Sequence, residues 1–144
     1  MQSNRKSTSA PIPPRTSYLG RKVPLAAIRR YARQVAERFD PEQIILFGSY
    51  AYGTPHADSD VDLLVVMRAR NQHSQAVKIR WEVPAPFAMD LIVRKPANLR
   101  WRLAEGESFH SEITSKGKVL HEKIHARVGP KGRGRSASSR KPRS

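Results

Sequence analysis

Three aspartates stand within five positions of a chain that is otherwise strongly basic. Asp58, Asp60 and Asp62 lie in the stretch DSDVDLLVV, although the whole chain has 27 Lys and Arg against 12 Asp and Glu. Carboxylates this close repel one another, and the repulsion falls when a divalent cation neutralises them. Magnesium prefers hard oxygen ligands and often shares them with nucleotide phosphates. We therefore expect a magnesium site with Asp60 and Asp62 as ligands and Asp58 as a loop neighbour.

Asp90 is a third carboxylate that the strand pattern brings into this site. The run VDLLVVM, residues 61–67, reads as a strand, and side chains two positions apart point the same way, so Asp60 and Asp62 share one side. Asp90 is the only charge inside another apolar run, FAMDLIV. A lone buried acid there would be costly, whereas a metal cluster would neutralise it. We expect Asp90 to complete a second metal site and to help deprotonate an acceptor hydroxyl.

Gly48 and Ser49 form a second chemical feature just upstream. They directly follow the apolar run QIILF, residues 43–47, which reads as a buried strand. A glycine at that point lets backbone N–H groups approach a phosphate closely, and a serine adds a hydroxyl. An anion cradle facing a metal-binding edge suits nucleotidyl transfer, because one metal activates the attacking oxygen and another holds the triphosphate and the leaving pyrophosphate.

Helices and strands alternate around these residues. Residues 24–39 place their apolar side chains on one helical face and their arginines elsewhere. We predict strands at 43–47, 61–67 and 87–93, a helix at about 71–82, and helical segments over 96–125. This alternation predicts an α/β or α+β fold, with a sheet that helices cover on at least one face.

The stretch GSYAYGTPHADSDVD, residues 48–62, resembles the G-S-x10-D-x-D signature of the DNA-polymerase-β-like nucleotidyltransferase superfamily. Asp90 matches the third, strand-borne carboxylate of that superfamily. Over about residues 25–123 the chain is similar to the stand-alone minimal nucleotidyltransferases, although relatives commonly carry Arg where this chain has Tyr52. Many of those proteins are antitoxins that transfer AMP from ATP to a tyrosine of a partner HEPN-domain RNase toxin.

The resemblance implies a fold, a substrate and a set of site residues. The fold would be a small mixed β-sheet with helices packed on it, and the substrate would be ATP with two Mg²⁺ ions. Asp60, Asp62 and Asp90 would be the catalytic and metal-binding residues. Gly48 and Ser49 would hold the β- and γ-phosphates. The implied partner is a HEPN-domain toxin, silenced by adenylylation.

Two other functions stay open on the sequence alone. The same fold could act as a non-catalytic antitoxin that neutralises a toxin by occlusion. Alternatively, catalysis could be directed at another acceptor, either RNA recruited by basic segments or a small molecule. Nothing in the sequence selects the nucleotide base or the acceptor.

The net charge of +15 is concentrated at the two ends of the chain. Residues 1–22 contain five basic residues, 126–144 contain seven, and neither stretch contains an acid. Both have few large apolar side chains, so we predict two disordered basic tails, either simply solvated or weakly bound to polyanions such as RNA. The nearly balanced residues 23–125 are the predicted domain. Without a long apolar run, a recognisable signal sequence or any cysteine, we expect a cytoplasmic protein.

Two motifs fail the requirements of the sites that they suggest. DSDVDLLVVMRA begins like an EF-hand, but Leu63 replaces its turn glycine and Ala69 its bidentate glutamate. Gly48 and Gly53 have the spacing of a P-loop, but the Lys-Ser/Thr pair that should follow is absent.

HEKIH, residues 121–125, spells the H-E-x-x-H motif of zinc proteases. No His, Asp, Glu or Cys follows it to supply the third zinc ligand, so we interpret the match as coincidence. We predict that His121 and Glu122 lie at the end of a surface helix, and that His56, His73 and His110 have no catalytic role.

Overall fold

A four-stranded mixed sheet organises the part of the chain that this computed structural model describes, which is Tyr18 and residues 21–124. The strands are β1 (Gln43–Phe47), β2 (Val61–Val66), β3 (Met89–Arg94) and β4 (Lys118–Glu122). The helices are α1 (Leu25–Phe39), α2 (Ser49–Tyr52), α3 (Gln72–Glu82), α4 (Pro96–Ala104) and α5 (Ser108–Lys116). In the order β3-β2-β1-β4, β1 is antiparallel to both neighbours, whereas β2 and β3 are parallel. The predicted α/β (α+β) fold with a small mixed sheet is confirmed.

Helix α1 forms where the sequence places its apolar stripe. Ile28, Tyr31 and Val35 are spaced by three and four positions, which brings them onto one face, and each is at most 1% exposed. Pro24 precedes the helix at the N-cap, where its missing N–H breaks no helical hydrogen bond. Asp40 ends the helix in a left-handed backbone conformation. The predicted helix and the observed one agree to within one residue.

Helices cover both faces of the sheet. Helices α1 and α3 bury the larger core, to which the strands contribute Ile44, Leu46, Val61, Leu63, Val65, Leu91 and Val93. Helices α4 and α5 bury a smaller core on the other face, to which the strands contribute Ile45, Phe47, Leu64 and Val66. Side chains alternate along a strand, so Asp62, two residues before Leu64, points to the α4/α5 face.

The prediction of helix over the whole of 96–125 is wrong at its end. Residues 118–122 form the edge strand β4, which pairs antiparallel with β1, so His121 and Glu122 lie on a strand and not on a helix. Gly117 allows this change of direction, because a side chain there would press against Ile45 of β1. The strand obtains its conformation from pairing with β1, which the local sequence does not indicate.

The predicted tails fall almost wholly outside the described residues. Of residues 1–22, the structure describes Tyr18, Arg21 and Lys22, and all of 126–144 lies beyond the described part. The Tyr18 ring lies 6.4 Å from the Phe87 ring and packs at the edge of the larger core. Among the described residues, no helix combines the length and apolar character needed to cross a membrane.

Candidate active site

Asp62 and Asp90 stand opposite each other on two parallel strands. Asp62 is the second residue of β2 and Asp90 the second residue of β3, and the register of the two strands pairs them directly. Adjacent strands are about 4.8 Å apart, and both side chains follow the alternation that leads to the α4/α5 face. The sequence placed these acids on separate strands, and the tertiary fold brings them together.

The two carboxylates differ in exposure. Asp62 is half-buried, whereas Asp90 is exposed. The apolar run FAMDLIV indicated a buried environment for Asp90. The side chain is exposed instead, because β3 is one of the two edge strands of the sheet. Asp60 is also exposed and lies just before β2.

Gly48 places its backbone against the Asp62 carboxylate. It follows β1 directly, and Phe47, the last residue of β1, pairs with Asp62 of β2. The φ angle of Gly48 is 75°, a value that favours glycine. A Cβ on this residue would overlap Oδ2 of Asp62 and lie 3.1 Å from its Cγ. Glycine is thus required at position 48 for two reasons: the backbone angle disfavours other residues, and Asp62 leaves no space for a side chain.

Ser49 begins the short helix α2, which the sequence reasoning missed. The Gly48 carbonyl accepts hydrogen bonds from the N–H groups of Ala51 (2.9 Å) and Tyr52 (3.1 Å), so the chain turns sharply after β1. The hydroxyl of Tyr50 accepts a 3.0 Å hydrogen bond from the Val23 N–H, which ties this turn to the segment before α1. Gly48 therefore lies next to Asp62 at the start of a fixed turn, and Ser49 follows it in that turn.

The acids of this site repel one another. Burial and, after it, the charges of Asp90 and Asp60 together raise the pKa of Asp62 to about 6. The Asp62 carboxylate is therefore destabilised by its partial burial and by two neighbouring acids. A divalent cation would relieve both the burial cost and the repulsion.

The donor set fits a hard cation that is completed by its substrate. Three carboxylates supply oxygen ligands, which Mg²⁺ prefers. In the described part of the chain, however, no three His, Cys, Asp or Glu side chains form a ready metal-binding group. Mg²⁺ is commonly bound by one or two carboxylates together with substrate phosphates and water, so these residues fit that mode better than a closed protein cage.

Phe109 is a residue near the carboxylates that the sequence reasoning did not single out. Its ring stands edge-on to that of Phe47 at 5.8 Å, and Phe47 is the strand partner of Asp62. Phe109 is 47% exposed and belongs to neither core. A half-exposed ring one side chain away from the carboxylates offers a flat apolar surface to a ligand. No local pattern in SFHSEITSK distinguishes this phenylalanine from an ordinary core residue.

A buried polar network holds the helix that carries Phe109. His110 is 2% exposed, accepts a 3.0 Å hydrogen bond from Nε of Arg94 at Nε2, and bonds Glu107 through Nδ1. Glu107 also caps α5 by accepting from the N–H groups of Phe109 (2.9 Å) and His110 (3.3 Å). His110 is therefore a structural residue that joins the end of β3 to the start of α5.

The remaining motif residues lie away from the carboxylates or fail the geometry. His56 is exposed in the loop before β2, and its backbone N–H donates to Oγ of Ser59. His121 and Glu122 occupy adjacent positions of β4, so they do not share the helical face that a zinc-protease motif needs. His125, the last residue of that motif, lies outside the described residues.

Most of the chain matches a known protein family. Residues 28–126 match the family described as "Nucleotidyltransferase domain". The matched range contains all five predicted site residues and every strand of the sheet. No curated protein matches the chain.

Solved structures show partial likenesses. A proposed nucleotidyltransferase from Sulfolobus solfataricus is 19% identical with a TM-score of 0.46, over 69% of this chain and 80% of that one. A mutant of the toxin–antitoxin pair MntA–HpeT is 18% identical with a TM-score of 0.46, over 66% and 73%. A toxin–antitoxin with AMP-PNP is 21% identical with a TM-score of 0.47, again over 66% and 73%.

Proposed function

Because this chain belongs to the nucleotidyltransferase domain family, we propose that it transfers AMP from ATP to a hydroxyl group in a Mg²⁺-dependent reaction. The acceptor in this proposal is a tyrosine of a HEPN-type RNase toxin, so that the chain acts as an antitoxin. The observation that carries the proposal is the convergence of Gly48, Asp62 and Asp90 at one end of the sheet.

Each residue has a role that follows from its position. Asp60 and Asp62, together with Asp90, are the proposed magnesium ligands. Magnesium, when bound, would neutralise phosphate charge and polarise the α-phosphate. Gly48 leaves the space beside Asp62 free of a side chain, and Ser49 offers its hydroxyl and the start of α2 to the β- and γ-phosphates. Phe109 lies where a nucleoside could rest against its ring.

The transfer step forms one bond to phosphorus and breaks another. The acceptor hydroxyl oxygen bonds to the α-phosphorus, the bond from that phosphorus to the bridging oxygen of the β-phosphate breaks, and pyrophosphate leaves. Asp90 is exposed, so it is accessible to an acceptor that arrives from solution, and it would take the hydroxyl proton.

The acceptor is proposed to be a protein because the site is open on its β3 side. Strand β3 is an edge strand, and Asp90 is not covered by another described element. A small domain of this kind needs a second surface to exclude water around the reacting hydroxyl. The resemblance over residues 25–123 to minimal nucleotidyltransferases supports a HEPN-type toxin as that surface.

The proposal is tested by label transfer. The purified protein is incubated with ATP labelled at the α-phosphate, Mg²⁺ and a HEPN-type partner, and Asp60→Ala/Asp62→Ala is compared with wild type. We expect label on the partner, lost in the double variant and in excess EDTA. Mass spectrometry of the labelled partner should locate AMP on a tyrosine.

Three other outcomes distinguish the alternatives. Label on RNA that depends on Asp60 and Asp62 would keep the transfer chemistry and replace the acceptor. Protection against a toxin that persists in Asp60→Ala/Asp62→Ala would indicate neutralisation by occlusion. Failure of the wild-type protein to bind ATP with Mg²⁺ would refute the catalytic proposal itself.

A further inference from the structure

Trp81 is the most exposed aromatic side chain in the described part of the chain. It is 84% exposed near the end of α3, and Val77, one helical turn earlier, is 52% exposed. Residues four apart lie on one face of a helix, so the two side chains form a continuous apolar surface, the α3 surface. Tryptophan is highly buried on average, and a contiguous exposed apolar surface is typical of an interaction site.

A cleft lies beside Trp81, between the end of α3 and the start of β3. It has a volume of about 360 Å³ and is lined by Arg80, Trp81, Pro84, Ala85, Phe87 and Met89. Phe87 and Met89 are 1% and 8% exposed, so the deepest part of the lining is apolar. Apolar anchor side chains fill pockets of this kind at the centre of protein interfaces.

Contacts within the domain fix the wall of the cleft. The Tyr31 hydroxyl of α1 donates a 2.7 Å hydrogen bond to the Val83 carbonyl, and the Tyr31 ring stands edge-on to that of Phe87 at 5.7 Å. The Val83 N–H donates a 2.8 Å hydrogen bond to the Ile79 carbonyl where α3 ends. Because these residues are already ordered, binding in the cleft costs little further conformational entropy.

The surroundings of the cleft are positively charged. Arg80 is the only charged residue among the described ones that line it, and Lys78 lies one turn before Trp81 on α3. Neither cation forms an ion pair with any described residue. Glu82, the only acid of α3, is paired with Arg38 at 3.0 Å. An acidic surface complements Lys78 and Arg80, whereas a second copy of this chain would place the same cations against themselves across a two-fold axis.

The cleft adjoins the proposed transfer site across strand β3. Met89 lines the cleft and Asp90 follows it directly, so their Cα atoms are about 3.8 Å apart. Alternation along the strand directs Met89 to the α1/α3 face and Asp90 to the α4/α5 face. Within the described residues, no strand pairs with the outer side of β3. A protein that covers this edge can therefore fill the cleft on one face and reach Asp90 on the other.

We propose that the α3 surface and its cleft are the docking site for the protein acceptor of the transfer reaction. The acceptor inserts an apolar side chain beside Trp81 and places its own carboxylates near Lys78 and Arg80. This inference rests on the proposed function, in which the acceptor hydroxyl approaches Asp90 from the open side of β3. RNA is disfavoured, because Phe87 and Met89 offer no side-chain hydrogen bond to a base.

Binding of the acceptor tests the proposal without any chemistry. The HEPN-type partner of the transfer assay is titrated into the full chain in the absence of ATP, with calorimetric detection. Trp81→Ala is compared with Trp101→Ala, which removes an exposed tryptophan of α4 on the other face of the sheet. We expect Kd to rise about 30-fold or more in Trp81→Ala and little in Trp101→Ala, because a central aromatic anchor carries much of the binding energy. Both side chains are exposed, so both variants should melt close to wild type.

Charge reversal tests the electrostatic part of the docking site. Lys78→Glu/Arg80→Glu should weaken acceptor binding on the order of tenfold at low salt, and less at about 0.15 M salt and above, where exposed charges are screened. Arg68→Glu/Arg100→Glu is the matched control, because these exposed cations lie in a cleft at the opposite end of β3. Equal weakening by the two pairs would show that only net charge matters and would overturn the proposal.

The transfer assay keeps this proposal separate from the reaction itself. Trp81→Ala should raise KM for the partner and leave the affinity for ATP with Mg²⁺ unchanged. Partner binding that depends on Trp81 without transfer of label would refute the reaction and support the docking site. The docking site would be overturned if wild type did not bind the partner, or if Trp81→Ala bound it as tightly as wild type. It would also be overturned if the interaction lost in Trp81→Ala were self-association or binding of single-stranded RNA.

Discussion

Gly48 and Asp62 lie in such close contact that no side chain fits between them. Gly48 directly follows β1 with a φ of 75°, and a Cβ there would overlap the Asp62 carboxylate. The pair joins the proposed phosphate-binding turn to the proposed metal-binding strand. The position of the Asp62 side chain therefore depends on the absence of a side chain at Gly48.

We expect Gly48→Ala to lower transfer activity strongly by displacing Asp62. The φ of 75° and ψ of −159° at Gly48 lie in a region open essentially only to glycine, so a side chain there costs about 1–3 kcal/mol of unfolding free energy, and the overlap adds to that loss. A displacement of about 1 Å at a reacting centre costs on the order of 100-fold in rate. Urea unfolding and the label-transfer assay measure the two effects.

Gly106→Ala is the matched control for that variant. Gly106 has the same φ of 75°, but a Cβ there would meet nothing within 4 Å. It should lose only the backbone contribution, about 1 kcal/mol, and keep its transfer activity. Equal activity in the two alanine variants would contradict the role given to the contact with Asp62.

Asp62→Asn should inactivate the protein and stabilise its metal-free form. The native pKa of Asp62 is about 6, against an ordinary 3.8, so the native state holds an extra proton between these values. Stability of the wild type should therefore fall as pH rises from about 4 to about 7, and the asparagine variant should lack this fall. After discounting for solvent screening of a half-exposed group, the gain at pH 7 should be about 1 kcal/mol.

Thermal unfolding in EDTA across that pH range measures the effect. Asp58→Asn removes an exposed loop acid and should follow the wild-type curve. Transfer activity should fall on the order of 10³-fold in Asp62→Asn and little in Asp58→Asn. If the stability of Asp62→Asn and that of wild type changed with pH in the same way, the Asp62 carboxylate would not be destabilised by its surroundings.

Phe109→Ala should weaken ATP binding without unfolding the protein. The ring is half exposed, so its removal loses little buried area, whereas a nucleoside would lose a stacking surface worth about 1–3 kcal/mol. We expect KM for ATP to rise about tenfold or more, with kcat less affected. Trp101→Ala is the control, because Trp101 is also exposed but has no ring contact among the described residues. The same KM in both variants would remove Phe109 from the nucleotide site.

His110→Leu should destabilise the fold. It leaves Nε of Arg94 without its acceptor in a partly buried position, which costs about 1–3 kcal/mol in unfolding free energy. His110 takes no part in the proposed transfer reaction. At a temperature at which the variant is folded, kcat should therefore fall less in His110→Leu than in Asp62→Asn. His73→Leu, on the exposed face of α3, should leave stability close to wild type. Denaturant titration of both variants compares the two sites.

The sequence determined the local parts of this protein. Apolar periodicity is enough to locate α1, β1 and the start of β2, since those segments bury a regular stripe or a continuous apolar run. The residues 48–62 also indicate their own chemistry, because glycine after a strand and closely spaced aspartates are unusual in a basic chain. These features depend on neighbours within about fifteen positions, so they can be recognised without a fold.

Tertiary structure decided which distant residues meet. Strand β4 was missed because KVLHE is short and largely polar, and it becomes a strand only by pairing with β1. The exposure of Asp90 depends on β3 being an edge strand, and the proximity of Phe109 depends on α5 packing over β1. Contacts between residues far apart in sequence are set by how the helices bury both faces of the sheet. No local pattern encodes that packing, and for this reason the neighbours of Asp62 had to be found in three dimensions.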